Sequence, residues 1–389
     1  MRTGKHQSGF MQLFISKRLV NGAAAALTGL FVPIFLYTTS GGSFLVVGGF
    51  YALLSLAYVL LLVPSMQITN RIGFSHALVL GGVFNVGVIS SLYFMNVDNV
   101  WTLLPFTFVL FVGLRLFHWV PYHVDFAMFT KAGERGRDVS LTFATIAFMG
   151  VIGPILAGFI ILHAGYAGLF AVTTVLLIAA TISYAFVPET AAYFEWSLKE
   201  TWQKLFSKEA RPLVVGEFAN GAEVVVTLIA WPIFLFEILD GNVFDIGAIS
   251  TVIVGVTIVL QLMVGKYLDA KKGSKERTLR VGSTMYAIGW IIKIFVLSTL
   301  QIFFVGLYHN IAKIFTQTPF TALIYDMSAD QGKYIDEFTV LREMAGHLGR
   351  TLSLVIIVIA TFYVSIEWTF IIAAIASLAL NMVYRISQK

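Results

Sequence analysis

Arg115, His118, Tyr122 and Asp125 occur in the run LRLFHWVPYHVDF at spacings of 3, 4 and 3 residues. In a helix those spacings set four polar side chains on one face. Pro121 stands among them, interrupts the hydrogen-bond ladder and offers a kink that aims the face into a cavity. Two arrangements stay open for the charges. Arg115 and Asp125 each meet a solute or gate its passage, or they simply pair with each other, with Asp125 alternatively marking the cytoplasmic boundary of the run. A second set lies in a later apolar run, where His309, Lys313 and Gln317 recur every four residues beside Asn310, with Pro319 following. Lys313 is too deep in its run to snorkel, which suits it to substrate or counter-ion duty or to a buried structural pair. A third set holds Glu217, Asn220 and Glu223, with Asn220, Glu223 and Thr227 on one face. Glu223 falls near the middle of its run, where a carboxylate withdrawn from water is suited to load and release protons. Its rival role is a permanent ion pair with Lys313 or Lys293. Glu217, nearer the end, is placed to gate or anchor.

The elements that carry these residues are membrane-grade. The chain has 389 residues, 58% hydrophobic and only 12% charged, where a soluble domain is nearer about 25% charged. An ionisable group inside such a run costs on the order of 2.5–3.5 kcal/mol to insert, so each is a functional candidate. There is no cysteine, which removes disulfides, thiolate metal sites and a cysteine nucleophile. There is no glycine-rich loop ending in Lys-Ser/Thr and no His-Glu-x-x-His, and His118 with His123 is a poor metal pair. No cofactor and no metal are expected. No serine has a histidine and an acid at a recognisable spacing, so an intramembrane enzyme lacks a catalytic set.

Twelve runs are long enough to cross about 30 Å of hydrocarbon at 1.5 Å per residue. They cover roughly residues 18–38, 43–66, 76–96, 101–125, 139–163, 167–187, 212–236, 246–268, 279–299, 301–325, 351–366 and 368–385. The basic start, MRTGKHQSGFMQLFISKR, precedes a run too long for a cleaved secretory signal. With the N-terminus in the cytoplasm, 23 of the 26 Lys and Arg fall in cytoplasmic segments, Lys17, Arg342 and Arg350 among them. Arg115, Lys293 and Lys313 lie inside runs, and the outer loops hold only acids. The basic residues therefore mark topology and form no nucleic-acid patch. Both termini are expected in the cytoplasm of a multi-pass protein of the cell membrane.

The tetrapeptide FVGL occurs at 111–114 and again at 304–307, in the fourth and tenth runs, as paired halves of a transporter would place it. The segment GKYLDAKKG, residues 265–273, has Gly265 and Asp269 in Gly-x-x-x-Asp spacing. At the equivalent place in the first half, MQITNRIG carries Asn70, Arg71 and Gly73, with Met66 for the leading glycine. In the fifth run MGVIGPILAG sets Gly153 and Pro154 ahead of Gly158, small residues that permit close helix approach beside a carbonyl freed by proline.

These segments resemble the loop and helix-5 motifs of the major facilitator superfamily. The resemblance implies an all-α membrane protein of twelve transmembrane helices in two pseudo-symmetric six-helix bundles. It implies that helices 1, 4, 7 and 10 line a cavity, which brings Asn21 of the first run into the candidate site. Arg115 stands at the family's helix-4 arginine, with His118 where a glutamine is usual. The loop motif implies a gating latch, for which Asn70 lacks the charge and Asp269 keeps it. The helix-5 motif implies antiport.

The expected domains are 1–187 and 213–389, joined by a linker at 188–212. In the linker Leu198, Trp202, Leu205 and Phe206 share a face, which suggests an amphipathic helix on the membrane surface or, failing that, a tether without fixed structure. The leading expectation is a secondary active transporter, monomeric in the bilayer, moving a small polar or amphipathic solute with protons as the coupling ion. The alternative is a receptor or scaffold that keeps the architecture without transport.

Overall fold

The computed structural model describes residues 10–129, 135–190, 192–270, 275–329 and 335–383. These residues are helical throughout apart from connecting turns. The membrane helices are α1 (Phe10–Thr39), α2 (Phe44–Ile72), α3 (Phe74–Phe94) and α4 (Val100–Phe129). Arg135–Tyr184 is one run of hydrogen bonds that turns at Gly165, where φ is 66° and ψ is −177°. Only glycine adopts that geometry cheaply, so the run is two helices, α5 (135–164) and α6 (166–184). The second half comprises α7 (Arg211–Ile238), α8 (Val243–Ala270), α9 (Lys275–Lys293), α10 (Thr299–Ala329), α11 (Ile335–Ala360) and α12 (Phe370–Ala379).

Among the described residues, eight helical stretches are apolar and long enough to cross a membrane, by length and composition. One of these, Ala144–Tyr184, includes the turn at Gly165. α9 and α10 fall outside that set because each carries polar side chains along its length.

The packing repeats between the halves. α1 lies on α5 as α7 lies on α11; α3 on α4 and α6 as α9 on α10 and α12; α2 on α4 as α8 on α10. The halves meet where α2 packs on α11 and α5 on α8, with α1 touching α7. Aligning α1 with α7 exposes a repeat in sequence that single motifs conceal. Asn21, Gly22, Ala23, Thr28, Pro33, Ile34, Phe35 and Leu36 recur as Asn220, Gly221, Ala222, Thr227, Pro232, Ile233, Phe234 and Leu235. Both helices also contain a π-helical stretch, Phe14–Val20 in α1 and Val226–Ala230 in α7.

Several boundaries differ from the sequence expectation: α2 runs on to Ile72 rather than 66, so Asn70 and Arg71 sit on its last turn instead of in a loop, and two further shifts move charged side chains. α1 begins at Phe10, so Lys17 lies within the helix and is 8% exposed instead of sitting in a tail. α11 begins at Ile335, not near 351, which moves Arg342 and Arg350 from a loop into a helix. The physical reason is that α11 is amphipathic: its charged side chains gather on one face, and averaged hydropathy reads that stretch as too polar to span.

The linker is ordered where described. It carries a short helix, Leu198–Leu205, capped by Ser197, whose Oγ accepts from the Glu200 N–H at 3.2 Å. Thr201 and Leu205 are buried, whereas Leu198 and Phe206 face outward. The expected single apolar face is therefore divided between the bundle and the exterior. Asp336, Glu337 and the linker mark one end of the molecule, called here the linker end.

Candidate functional site

The polar side chains inside the bundle fall into three groups. The first joins the two halves. Tyr58 of α2 stacks on His347 of α11 with ring centroids 4.2 Å apart. Arg350 Nη1 lies 3.1 Å from His347 Nε2. A guanidinium only donates, so Nε2 is the acceptor and that imidazole is neutral, with its proton on Nδ1. Arg115 of α4 is half-buried, 5.9 Å from the Trp119 ring, and lies in electrostatic reach of Tyr51, Tyr58, Glu343 and Arg350. Eight residues before Arg350, about two turns nearer the linker end, Arg342 Nε meets Glu217 Oε1 at 3.1 Å. Asn220 donates to Glu217 Oε2 at 3.2 Å, and Gln317 donates to Asn220 Oδ1 at 3.1 Å. This chain runs from α11 through α7 to α10.

The second group lies within the second half. Glu223 is fully buried, and its Oε1 accepts from Thr227 at 2.7 Å and Tyr286 at 2.6 Å. The π-helical turn that begins at Val226 directly follows it. Lys293 of α9 is 3% exposed, with its ammonium 3.9 Å from the Trp231 ring and 4.1 Å from that of Trp290. Such cation–π contacts are strongest where water is excluded. His309 packs tilted against Tyr286 and edge-on to Trp290, with ring centroids 4.4 and 4.6 Å away. Lys313 is half-buried and in electrostatic reach of Lys293 and His309.

The third group lies within the first half. Lys17 and His118 are hydrogen-bonded, and the Lys17 ammonium sits 4.6 Å from the Trp119 ring and 5.2 Å from that of Tyr122. Asn21, one turn further along α1, is buried, and its N–H bonds to the Ser16 carbonyl five residues back. Asp125, fully buried, accepts a 2.7 Å hydrogen bond from Thr190 of the linker.

The face expected to unite Arg115, His118, Tyr122 and Asp125 is thus divided. Arg115 turns to the other half, His118 and Tyr122 to α1, and Asp125 to the linker. The considered pairing of Arg115 with Asp125 does not form. Nor is Glu223 within ion-pair distance of Lys293 or Lys313 among the described residues; two hydroxyls hold it instead. What sequence reading missed is Lys17 and the α11 set Glu343, His347 and Arg350. Their spacings of 4 and 3 were a legible signal for one helical face.

The gating segments are also placed. Asn70 clamps the linker, donating to the Phe194 carbonyl at 2.8 Å and accepting from the Phe194 N–H at 3.0 Å. Gly73, at φ 94°, opens α3 so that Glu189 accepts from the Phe74 N–H at 2.6 Å. A carboxylate there also complements the positive end of the α3 dipole. Arg71 is exposed. Gly265 and Asp269 lie on the last turns of α8, and the side chains there are outside the described residues. In α5, Gly153 packs on Ala26 of α1, and Gly158 on the Val243 carbonyl of α8. Beside Pro154, Thr251 of α8 donates to the Val151 carbonyl at 2.6 Å and accepts from the Ile155 N–H at 3.2 Å.

No family model and no curated protein matches this sequence. The fold does match solved structures. One is the crystal structure of a POT family transporter in complex with 5-aminolevulinic acid, at a TM-score of 0.66 and 10% sequence identity. The match covers 98% of this chain and 95% of that chain. The expected all-α fold of twelve helices in two six-helix bundles is therefore shared with that structure over 98% of this chain.

Proposed function

We propose that this protein is a secondary active transporter that moves a small polar or amphipathic solute by alternating access between its two halves. The observation that carries this reading is the layer of charged and polar side chains shared between the halves, from Arg115 and Tyr58 to His347, Arg350, Glu217 and Gln317. Residues of this cost inside a bundle mark solute and ion pathways. The whole-length likeness to a transporter fold supports the same reading.

Protons are the proposed coupling ion, with Glu223 as the first acceptor. It is dry, and hydroxyls rather than a permanent cation hold it. Asn21, His309 and Lys313 complete the proposed site. The close α5–α8 packing around Gly153, Pro154 and Gly158 favours antiport. The protein is read as a monomer in the cell membrane with both termini in the cytoplasm, its domains at 1–187 and 213–389, and its linker at 188–212.

The test is uptake into proteoliposomes with and without an imposed pH gradient. The first solute is 5-aminolevulinic acid, the compound bound by the structural neighbour, followed by a panel of small polar solutes. Gradient-dependent uptake supports the reading, and the gradient's effective direction separates antiport from symport. Uptake indifferent to the gradient would remove proton coupling. Absence of both uptake and counterflow across the panel would favour a receptor or scaffold.

A further inference from the structure

Resting on the transporter reading, we propose that Arg115 and Arg350 form a two-arginine site, one guanidinium from each half, for an oxyanion group of the solute, a carboxylate or a phosphate.

Depth comes first. Arg115 lies fourteen residues before Phe129, the last described residue of α4, and Arg350 lies fifteen after Ile335, the first described residue of α11. At 1.5 Å per residue both stand about 21–23 Å from those residues. Tyr58 lies fourteen residues before the end of α2 at Ile72, which gives the same level. α11 packs against both α2 and α4, so the three residues share one layer across the interface.

Charge comes second. Arg342 shows a satisfied arginine in this bundle, with Glu217 at 3.1 Å. Arg115 and Arg350 have no acid within 4 Å among the described residues, and the buried Nε of Arg350 has no hydrogen-bond partner there. The neighbour that Arg350 does have, His347, is neutral by the hydrogen bond that it accepts. Glu343 is the nearest acid: its Oε2 lies 4.0 Å from the same His347 Nε2 that Arg350 bonds, and it is in electrostatic reach of Arg115, so a single carboxylate stands beside two guanidiniums without pairing with either. Two guanidiniums in a medium of low dielectric repel unless an anion stands between them. Their planar forks match a carboxylate or a phosphate in bidentate fashion. Both arginines are half-buried and thus retain access to a solute. Because they belong to different halves, an anion held by both would draw the halves together.

The experiment uses the full chain, purified in detergent, with Trp fluorescence and thermal unfolding as readouts. The Trp119 ring, 5.9 Å from Arg115, is the local reporter. Inorganic phosphate and succinate are the anionic probes, with glucose and choline as neutral and cationic controls. The expected result is a saturable response to at least one anion and none to the controls. The anion that acts distinguishes carboxylate from phosphate. Arg115→Gln and Arg350→Gln should each weaken that response more than about ten-fold, the loss expected when a charge-assisted hydrogen bond is removed. Arg115→Lys and Arg350→Lys, which keep the charge but lose the fork, should fall between. Arg280→Gln, in an exposed helix pair, should bind as the parent does. A parent protein silent to both anions, or glutamine variants that elute as folded protein and bind undiminished, would overturn the site. Uptake is scored separately, so anion binding without any transport sinks the transporter reading and leaves the site standing.

Discussion

Asn70 and Phe194 hold each other through both hydrogen bonds that a peptide group can make, the Asn70 amide donating to the Phe194 carbonyl and accepting from its N–H. An aspartate, which resembles the acidic residue of the major facilitator loop motif, would accept the N–H but would face the carbonyl with no donor. The neutral residue is therefore suited to grip backbone. Asn70→Asp is expected to lose about 1–3 kcal/mol, the cost of an unsatisfied polar contact, and to lose more than Asn70→Ala. Limited proteolysis of the linker, compared with thermal unfolding, measures this. Equal protection in Asn70→Asp and the parent would contradict the clamp.

Glu217 and Arg342 form an ion pair with Glu217 almost wholly buried and Arg342 in partial contact with water. Removing one partner strands the other. Arg342→Ala is expected to cost up to about 3 kcal/mol, less than a fully dry pair because water reaches Arg342. The double variant Glu217→Gln with Arg342→Gln should recover part of that loss. A double-mutant cycle on thermal unfolding gives the coupling, and strict additivity would show the pair to be energetically idle.

Glu223 is assigned the proton in the proposed cycle. Glu223→Gln keeps the volume and can still bond Tyr286 and Thr227, so the fold should survive. Uptake driven by a pH gradient should fall to the background of empty vesicles, while solute counterflow, which needs no net proton movement, should persist. Unaltered gradient-driven uptake would remove Glu223 from the coupling path.

A side chain on Gly221 of α7 would collide with the Gly346 carbonyl of α11, and one on Gly247 of α8 with the Pro154 carbonyl of α5. Backbone cannot yield as a flexible side chain can. Gly221→Ala and Gly247→Ala are each expected to destabilise by about 1–3 kcal/mol. Gly49, which has open space around it, should tolerate alanine. Thermal unfolding of the three variants side by side checks the contrast.

The fold was legible because bilayer-length apolar runs and basic loops are read one residue type at a time. Most of the polar face of α10 was legible for the same reason, since spacings of four survive without knowledge of neighbours. α11 reads as a shorter span than it is because Arg342, Glu343, His347 and Arg350 lower its mean hydropathy. Lys17 reads as part of a tail because its burial rests on His118, Trp119 and Tyr122 of α4, about 100 positions away in sequence. The partner of Asp125 was beyond sequence altogether, since Thr190 arrives from a linker 65 positions away. The repeat from Asn21 to Leu36 was in plain sight, yet only the superposed roles of α1 and α7 give its scattered identities a common frame.

Thr251 enters α5 between the Val151 carbonyl and the Ile155 N–H with a single hydroxyl that both gives and receives. A hydroxyl can satisfy both groups only where they face each other across one turn, so the contact indexes one half against the other to a single residue. Sliding α8 along α5 would break two hydrogen bonds at once, whereas pivoting about that point would break neither. The joint is therefore stiff in translation and compliant in rotation, as an axle is.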